Sequence, residues 1–117
     1  MRSSLTALLF FAASLVLSAQ DTKLYVVTHV DLTPNYIADG TPLLQKFAAD
    51  SHKDKGVVRF ELLVDVSRKN HFTILSVWEN QAAFDAHLEA VHTKQVREKL
   101  QPMLGSPFDE RLSVLSQ

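Results

Sequence analysis

Nothing in this chain restricts its fold more than the run His71 to Glu79, HFTILSVWE, which is apolar on both sides of an extended backbone. Side chains alternate along a strand, so Phe72, Ile74 and Trp78 project one way and Leu75 and Val77 the other. A strand buried on both faces has to be covered twice. Helices of the same chain can supply one cover. The other needs a second sheet, and 117 residues leave no sequence to build it. A second copy of the subunit is the economical source, so a homodimer is expected.

The residues after this strand bring a histidine to the same interior. Asn80 has the side chain of a helix N-cap. Phe84, His87, Leu88 and Val91 then recur at i, i+3, i+4 and i+7, the spacing of one apolar helix face. His87 therefore sits within the apolar stripe, near the Trp78 indole.

The remaining segments supply the other elements. Leu24 to Leu32 alternates as a first strand, with Leu24, Val26, Thr28, Val30 and Leu32 on one face and Tyr25, Val27, His29 and Asp31 on the other. Thr33-Pro34 and Thr41-Pro42 both read as helix starts. A short helical turn, a break at Gly40 to Pro42, and a helix from Pro42 to Lys53 are expected, with Leu43, Leu44, Phe47 and Ala48 inward. Gly56 is free to end that segment with a positive φ. Val57 to Val66 is a second strand with Val58, Phe60, Leu62, Val64 and Val66 on one face. Thr93 is expected to cap a further helix, Lys94 to Leu104, and Phe108 to Leu115 is a fourth strand, with Phe108, Leu112 and Val114 on one face. The order is βαββαβ with the second helix broken in two. This is an α+β, ferredoxin-like arrangement with an antiparallel sheet.

Composition sets limits on function. Met1 to Ala19 has one basic residue, Arg2, an apolar run from Leu5 to Leu17, and then Ser18 and Ala19. That is the layout of a secretory signal peptide, and the run is short for a membrane span. Cleavage would leave a mature domain of residues 20–117, exported to the periplasm or beyond. The full chain has 12 Lys and Arg against 13 Asp and Glu, which argues against a nucleic-acid partner. The absence of cysteine removes a thiol nucleophile, a disulfide framework, a lipid-acylated cysteine and a cysteine metal site. His87 and His92 lack the i, i+4 spacing of paired helical ligands, and His29, His52 and His71 fall on separate elements, so no metal site is expected.

Three pieces of the chain, KGVVRFELLVD (Lys55 to Asp65), SVWEN (Ser76 to Asn80) and AAFDAHLEAVH (Ala82 to His92), together with the element order, carry a resemblance. The chain resembles the antibiotic biosynthesis monooxygenase family of dimeric α/β barrels over Leu24 to Leu115. The resemblance implies a homodimer with packed sheets and a small pocket between sheet and helices in each subunit. It also implies Trp78 and His87 near that pocket. A haem-degrading branch of such proteins uses an asparagine early in the first strand. This chain has none there, so haem is discounted.

Members of this family resembling quinol monooxygenases oxygenate an electron-rich aromatic with O2 and no cofactor. Such chemistry needs a base, a dry aromatic pocket and donors for an oxyanion. His87 is the best base on offer, because its ordinary pKa lies near neutrality. Trp78 could stack on a planar ring and donate from its indole N–H. Phe47 and Phe84 are expected to line the pocket, with Tyr25, His29, Tyr36 and Arg59 as candidate polar partners. A plainer role stays open beside these: Trp78 as a core aromatic, His87 as a structural histidine, and the whole as a binding or stress-related protein for a small apolar ligand that catalyses nothing.

Overall fold

The computed structural model describes residues 22–117; the leader expected over residues 1–19 lies outside them. Four strands form one antiparallel sheet: β1 (Leu24–Asp31), β2 (Val57–Val64), β3 (His71–Trp78) and β4 (Asp109–Ser113). Their spatial order is β2-β3-β1-β4. The helices are α1 (Ile37–Ser51), α2 (Gln81–Glu89) and α3 (Val91–Leu100), with 3-10 turns at Pro34–Tyr36 and Gln101–Met103. This is the expected βαββαβ, ferredoxin-like α+β fold. No helix of the described residues is long and apolar enough to cross a membrane.

The alternation read in the sequence sets which face is buried. Leu24, Val26, Thr28 and Val30 of β1 and Phe72, Ile74, Ser76 and Trp78 of β3 are all buried. They are joined by Phe60 of β2, by Leu44 and Phe47 of α1, by Phe84 and His87 of α2, and by Val96 and Leu100 of α3. The opposite face carries Tyr25, Val27, His29, Thr73, Leu75 and Val77, and no helix among the described residues covers it; His29 is exposed and the others half-buried.

Four expectations need correction, each for a local reason. The first helix does not break at Gly40 to Pro42: α1 runs unbroken through Pro42. A proline inside a helix removes one hydrogen bond, but it lies near the start of a helix anchored by buried Leu44 and Phe47. Gly40 permits close approach of α1 to Leu32; a Cβ there would lie 2.6 Å from Leu32 Cδ1. In β2, a bulge at Val57 to Arg59 places an extra residue in the strand. Val58 therefore leaves the Phe60 face and is half exposed.

The other two corrections concern the second helical region. Ala90 is extended (φ −63°, ψ 146°), so α2 stops at Glu89 and α3 starts at Val91. Val91 consequently leaves the Phe84 and His87 stripe and is 69% exposed. Thr93 is a fully buried residue within α3, capped by Ala90 and not by itself, and the helix ends at Leu100 instead of Leu104.

Candidate functional site

The site grows from the sharp junction between β3 and α2. Asn80 accepts a hydrogen bond from the Ala83 amide at 2.9 Å, fixing the start of α2 as its side chain predicts. One and two turns on, Phe84 and His87 face the sheet. Glu79 N–H donates to the Gly56 carbonyl at 2.8 Å. Gly56 has φ +83°, and a Cβ there would lie 2.5 Å from Ala83 Cβ. The glycine thus allows both the backbone turn and the close approach of α2, which brings the α1–β2 turn beside His87.

That turn contributes Asp54. Its carboxylate Oδ2 lies 2.7 Å from His87 Nδ1 and 2.9 Å from His92 Nε2. A carboxylate only accepts, so each imidazole nitrogen facing it carries the proton. His87 Nε2 is then the free lone pair. The extended Ala90 turns the chain back on itself, which sets the His87 and His92 rings 6.0 Å apart. The His87 side chain is 4% exposed. Burial holds its pKa below the ordinary imidazole value, and the Asp54 hydrogen bond and charge oppose that shift only in part.

His87 forms one wall of a narrow cavity between the sheet and the helices. Val30, Leu44, Phe47, Phe60, Ile74 and Phe84 make most of its apolar lining. At its polar end, Glu110 Oε2 accepts from Thr28 Oγ1 and from Arg97, each at 2.9 Å. The Arg97 guanidinium also lies 5.0 Å from the centre of the Phe108 ring. The cavity measures about 20 Å³, room for little more than one water. A ring-sized guest therefore requires the lining to open.

The residues singled out in the sequence fall into three groups. Phe47, Phe84 and His87 line the cavity. Trp78 does not: it is fully buried behind His87, with ring centres 4.6 Å apart. Its indole N–H is already donated to Ser76 Oγ at 3.0 Å, so it is not available to a ligand. Trp78 packs behind the imidazole and takes no part in the cavity lining. Tyr25 and His29 project to the open face of the sheet, where His29 Nδ1 pairs with Thr73 Oγ1 at 3.2 Å. The strand pleat sends them away from the helices. Tyr36 lies in the 3-10 turn before α1, away from the cavity lining. Arg59 is exposed and pairs with Glu61.

Asp54, Arg97 and Glu110 were not foreseen. Asp54 sits in a segment that reads only as a helix stop. Glu110 had one visible signal, as a charged residue between Phe108 and Leu112 on an otherwise apolar strand face. His92 is half-buried and joined to His87 through Asp54. The absence of i, i+4 spacing did not keep these histidines apart, because they stand on two helices and not on one.

The fold recurs among solved structures. An antibiotic biosynthesis monooxygenase superposes with a TM-score of 0.77 at 19% identity, covering 80% of this chain and 99% of that one. Rv0793 from Mycobacterium tuberculosis gives 0.76 at 14% identity, over 82% and 97% of the two chains. PA3566 from Pseudomonas aeruginosa gives 0.71 at 18% identity, over 80% and 96%. No curated protein is significantly similar in sequence. At these identities the structural likeness speaks for the fold alone. The sequence model of the antibiotic biosynthesis monooxygenase family matches residues 23–99, about two thirds of the chain, through β1, both sides of the Asp54 turn, β3, α2 and most of α3. The chain belongs to the antibiotic biosynthesis monooxygenase family.

Proposed function

We propose that this protein is a cofactor-independent monooxygenase for a small quinol-like or polyphenolic aromatic, with His87 as the base. The observation that carries this reading is the Asp54–His87 pair on the wall of an apolar cavity. Asp54 fixes the Nδ1–H tautomer and leaves Nε2 as the proton acceptor, and burial keeps the ring neutral near pH 7. Removal of a phenolic or activated C–H proton by Nε2 produces an electron-rich anion. That anion can pass electrons to O2 directly. One oxygen atom enters the substrate and the other leaves as water, with both electrons and both hydrogens coming from the substrate. Arg97 and Thr28, now bound to Glu110, are donors within the lining for the developing oxyanion.

The working form is a homodimer exported to the periplasm or beyond. The uncovered sheet face, with half-buried Tyr25, Val27, Leu75 and Val77 and exposed Leu63, is the surface for the partner subunit. No nucleic acid, metal or cofactor enters this reaction.

Oxygen uptake by the mature protein, with a panel of quinols and anthrones, tests the reading. Uptake should exceed autoxidation without added metal or flavin, and should fall about 10²-fold or more in His87→Ala. Equal uptake in both proteins removes His87 from the mechanism. Tight aromatic binding with no uptake, surviving His87→Ala, would instead identify a non-catalytic binding protein.

A further inference from the structure

Asp54, His87 and His92 are the only cluster of three such donors among the described residues in which each side chain offers one atom and all three atoms lie within 4.8 Å of one another. We propose that this cluster is a binding site for a divalent first-row transition cation.

The donor set is two imidazoles and one carboxylate, which suits zinc, cobalt, nickel or iron rather than calcium or magnesium. Three elements supply it: the α1–β2 turn, α2 and α3. The turn is held by Asp54 N–H donating to the Ser51 carbonyl at 3.1 Å and by Val57 N–H donating to the Asp54 carbonyl at 3.3 Å. His87 is locked between Trp78, Phe47, Phe60 and Phe84. Two of the three donors are therefore placed before any ion arrives.

Tetrahedral ligands at about 2.0–2.2 Å from zinc lie about 3.4 Å from each other. The present N···O separations of 2.7 and 2.9 Å are shorter than that, so binding requires the Asp54 carboxylate and the half-buried His92 ring to draw back by well under an ångström. The cation would replace the two ring protons now lying between the nitrogens and Asp54 Oδ2. Three ligands on one side leave the remaining coordination positions to water. Access runs from the surface, because the His92 and Asp54 side chains are 23% and 17% exposed. His92 also lines a cleft of about 50 Å³ between α1 and α3.

Occupancy has a consequence for His87. Ligation takes the Nδ1 lone pair, so the ring proton of the neutral imidazole resides on Nε2. The free acceptor is lost. If His87 is the base of the reaction proposed above, the cation is an inhibitor of it, bound at the back of the imidazole. This consequence rests on that reading; the site itself does not.

Calorimetric titration of chelator-treated, tag-free mature protein with zinc chloride tests the site without any substrate. The expected result is one equivalent per chain. His92→Ala and Asp54→Asn should each weaken binding at least about 10-fold, and His71→Ala should leave it unchanged. Cobalt should give a visible absorption band that zinc displaces and that His92→Ala removes. Circular dichroism checks that the variants fold; His92 is half-buried at the surface, so its loss leaves the core intact. No zinc uptake by the wild type, or uptake indifferent to both His92→Ala and Asp54→Asn, overturns the proposal. Zinc binding that persists in a protein without oxygenase activity would retain the site and reject only the inhibitory consequence.

Discussion

Among the described residues, two histidine–aspartate pairs have the same length, one on each face of the sheet. His87 Nδ1 and Asp54 Oδ2 are 2.7 Å apart, with side chains 4% and 17% exposed. His71 Nδ1 and Asp31 Oδ1 are also 2.7 Å apart, with side chains 31% and 33% exposed. The first pair joins a helix to a turn and backs onto a cavity. The second joins neighbouring strands in register, and Ser106 also donates to Asp31. Distance does not separate them. What differs is the surroundings: His87 is enclosed by Trp78, Phe47, Phe60 and Phe84, and burial disfavours its charged form. In the reaction proposed above, desolvation and the nitrogen left open, more than the hydrogen bond, are what set His87 apart from His71.

Several substitutions break or sharpen this contrast. The largest effect should come from His87→Ala, which lowers turnover about 10²–10⁴-fold; His71→Ala, assayed for oxygen uptake in parallel, should stay within about twofold, because its pair opens onto a polar cleft on the other face of the sheet and is not part of the enclosed apolar cavity beside His87. If both substitutions act alike, the contrast is lost. Next comes the support behind the imidazole. Trp78→Ala should cost about 3–5 kcal/mol of stability in urea unfolding, the usual penalty for deleting a large buried aromatic. A penalty below about 1 kcal/mol would mean that Trp78 does not hold the core together.

Asp54→Asn should have a smaller catalytic effect, a loss of about tenfold or more, because the imidazole loses its tautomer partner while the base itself remains. It should also move the acid limb of the pH–rate profile downwards, since Asp54 raises the His87 pKa against the effect of burial. An upward movement of that limb would contradict the assignment.

The sequence showed the scaffold better than the site, and particular residues explain why. Alternation in β1 and β3 placed Val26, Val30, Phe72 and Ile74 on the buried face, because a pleated backbone leaves no other choice. The cap at Asn80 and the position of His87 on the apolar stripe were equally legible. Asp54 was not, since its role depends on a turn folding back beside a helix 33 residues later. Arg97 and Glu110 meet only because β4 pairs with β1 in the register that sets Thr28 opposite Glu110. The helix break at Ala90 had no glycine or proline to mark it, and it decides both the exposure of Val91 and the approach of His92.

The same comparison predicts a pH effect on stability. The folded His87 pKa lies below its unfolded value of about 6.5. As pH falls through that value the unfolded chain takes up the proton first, so stability is lost on acidification until the folded pKa is reached, and is unaffected above it. Unfolding of wild type and His87→Gln at pH 7.5 and 5.5 should show a smaller loss in the variant. The smallest effect belongs to the exposed pair: His71→Ala should change stability by about 0–1 kcal/mol, as partly exposed ion pairs usually do.

The state of the His87 ring is the point on which the account turns, and nitrogen-15 NMR of the imidazoles reads it directly. At pH 7 the His87 ring should be neutral, with the proton on Nδ1 and Nε2 unprotonated, and its titration midpoint should lie below about 6.5. A proton on Nε2 in the metal-free protein, or a midpoint well above 7, would contradict it.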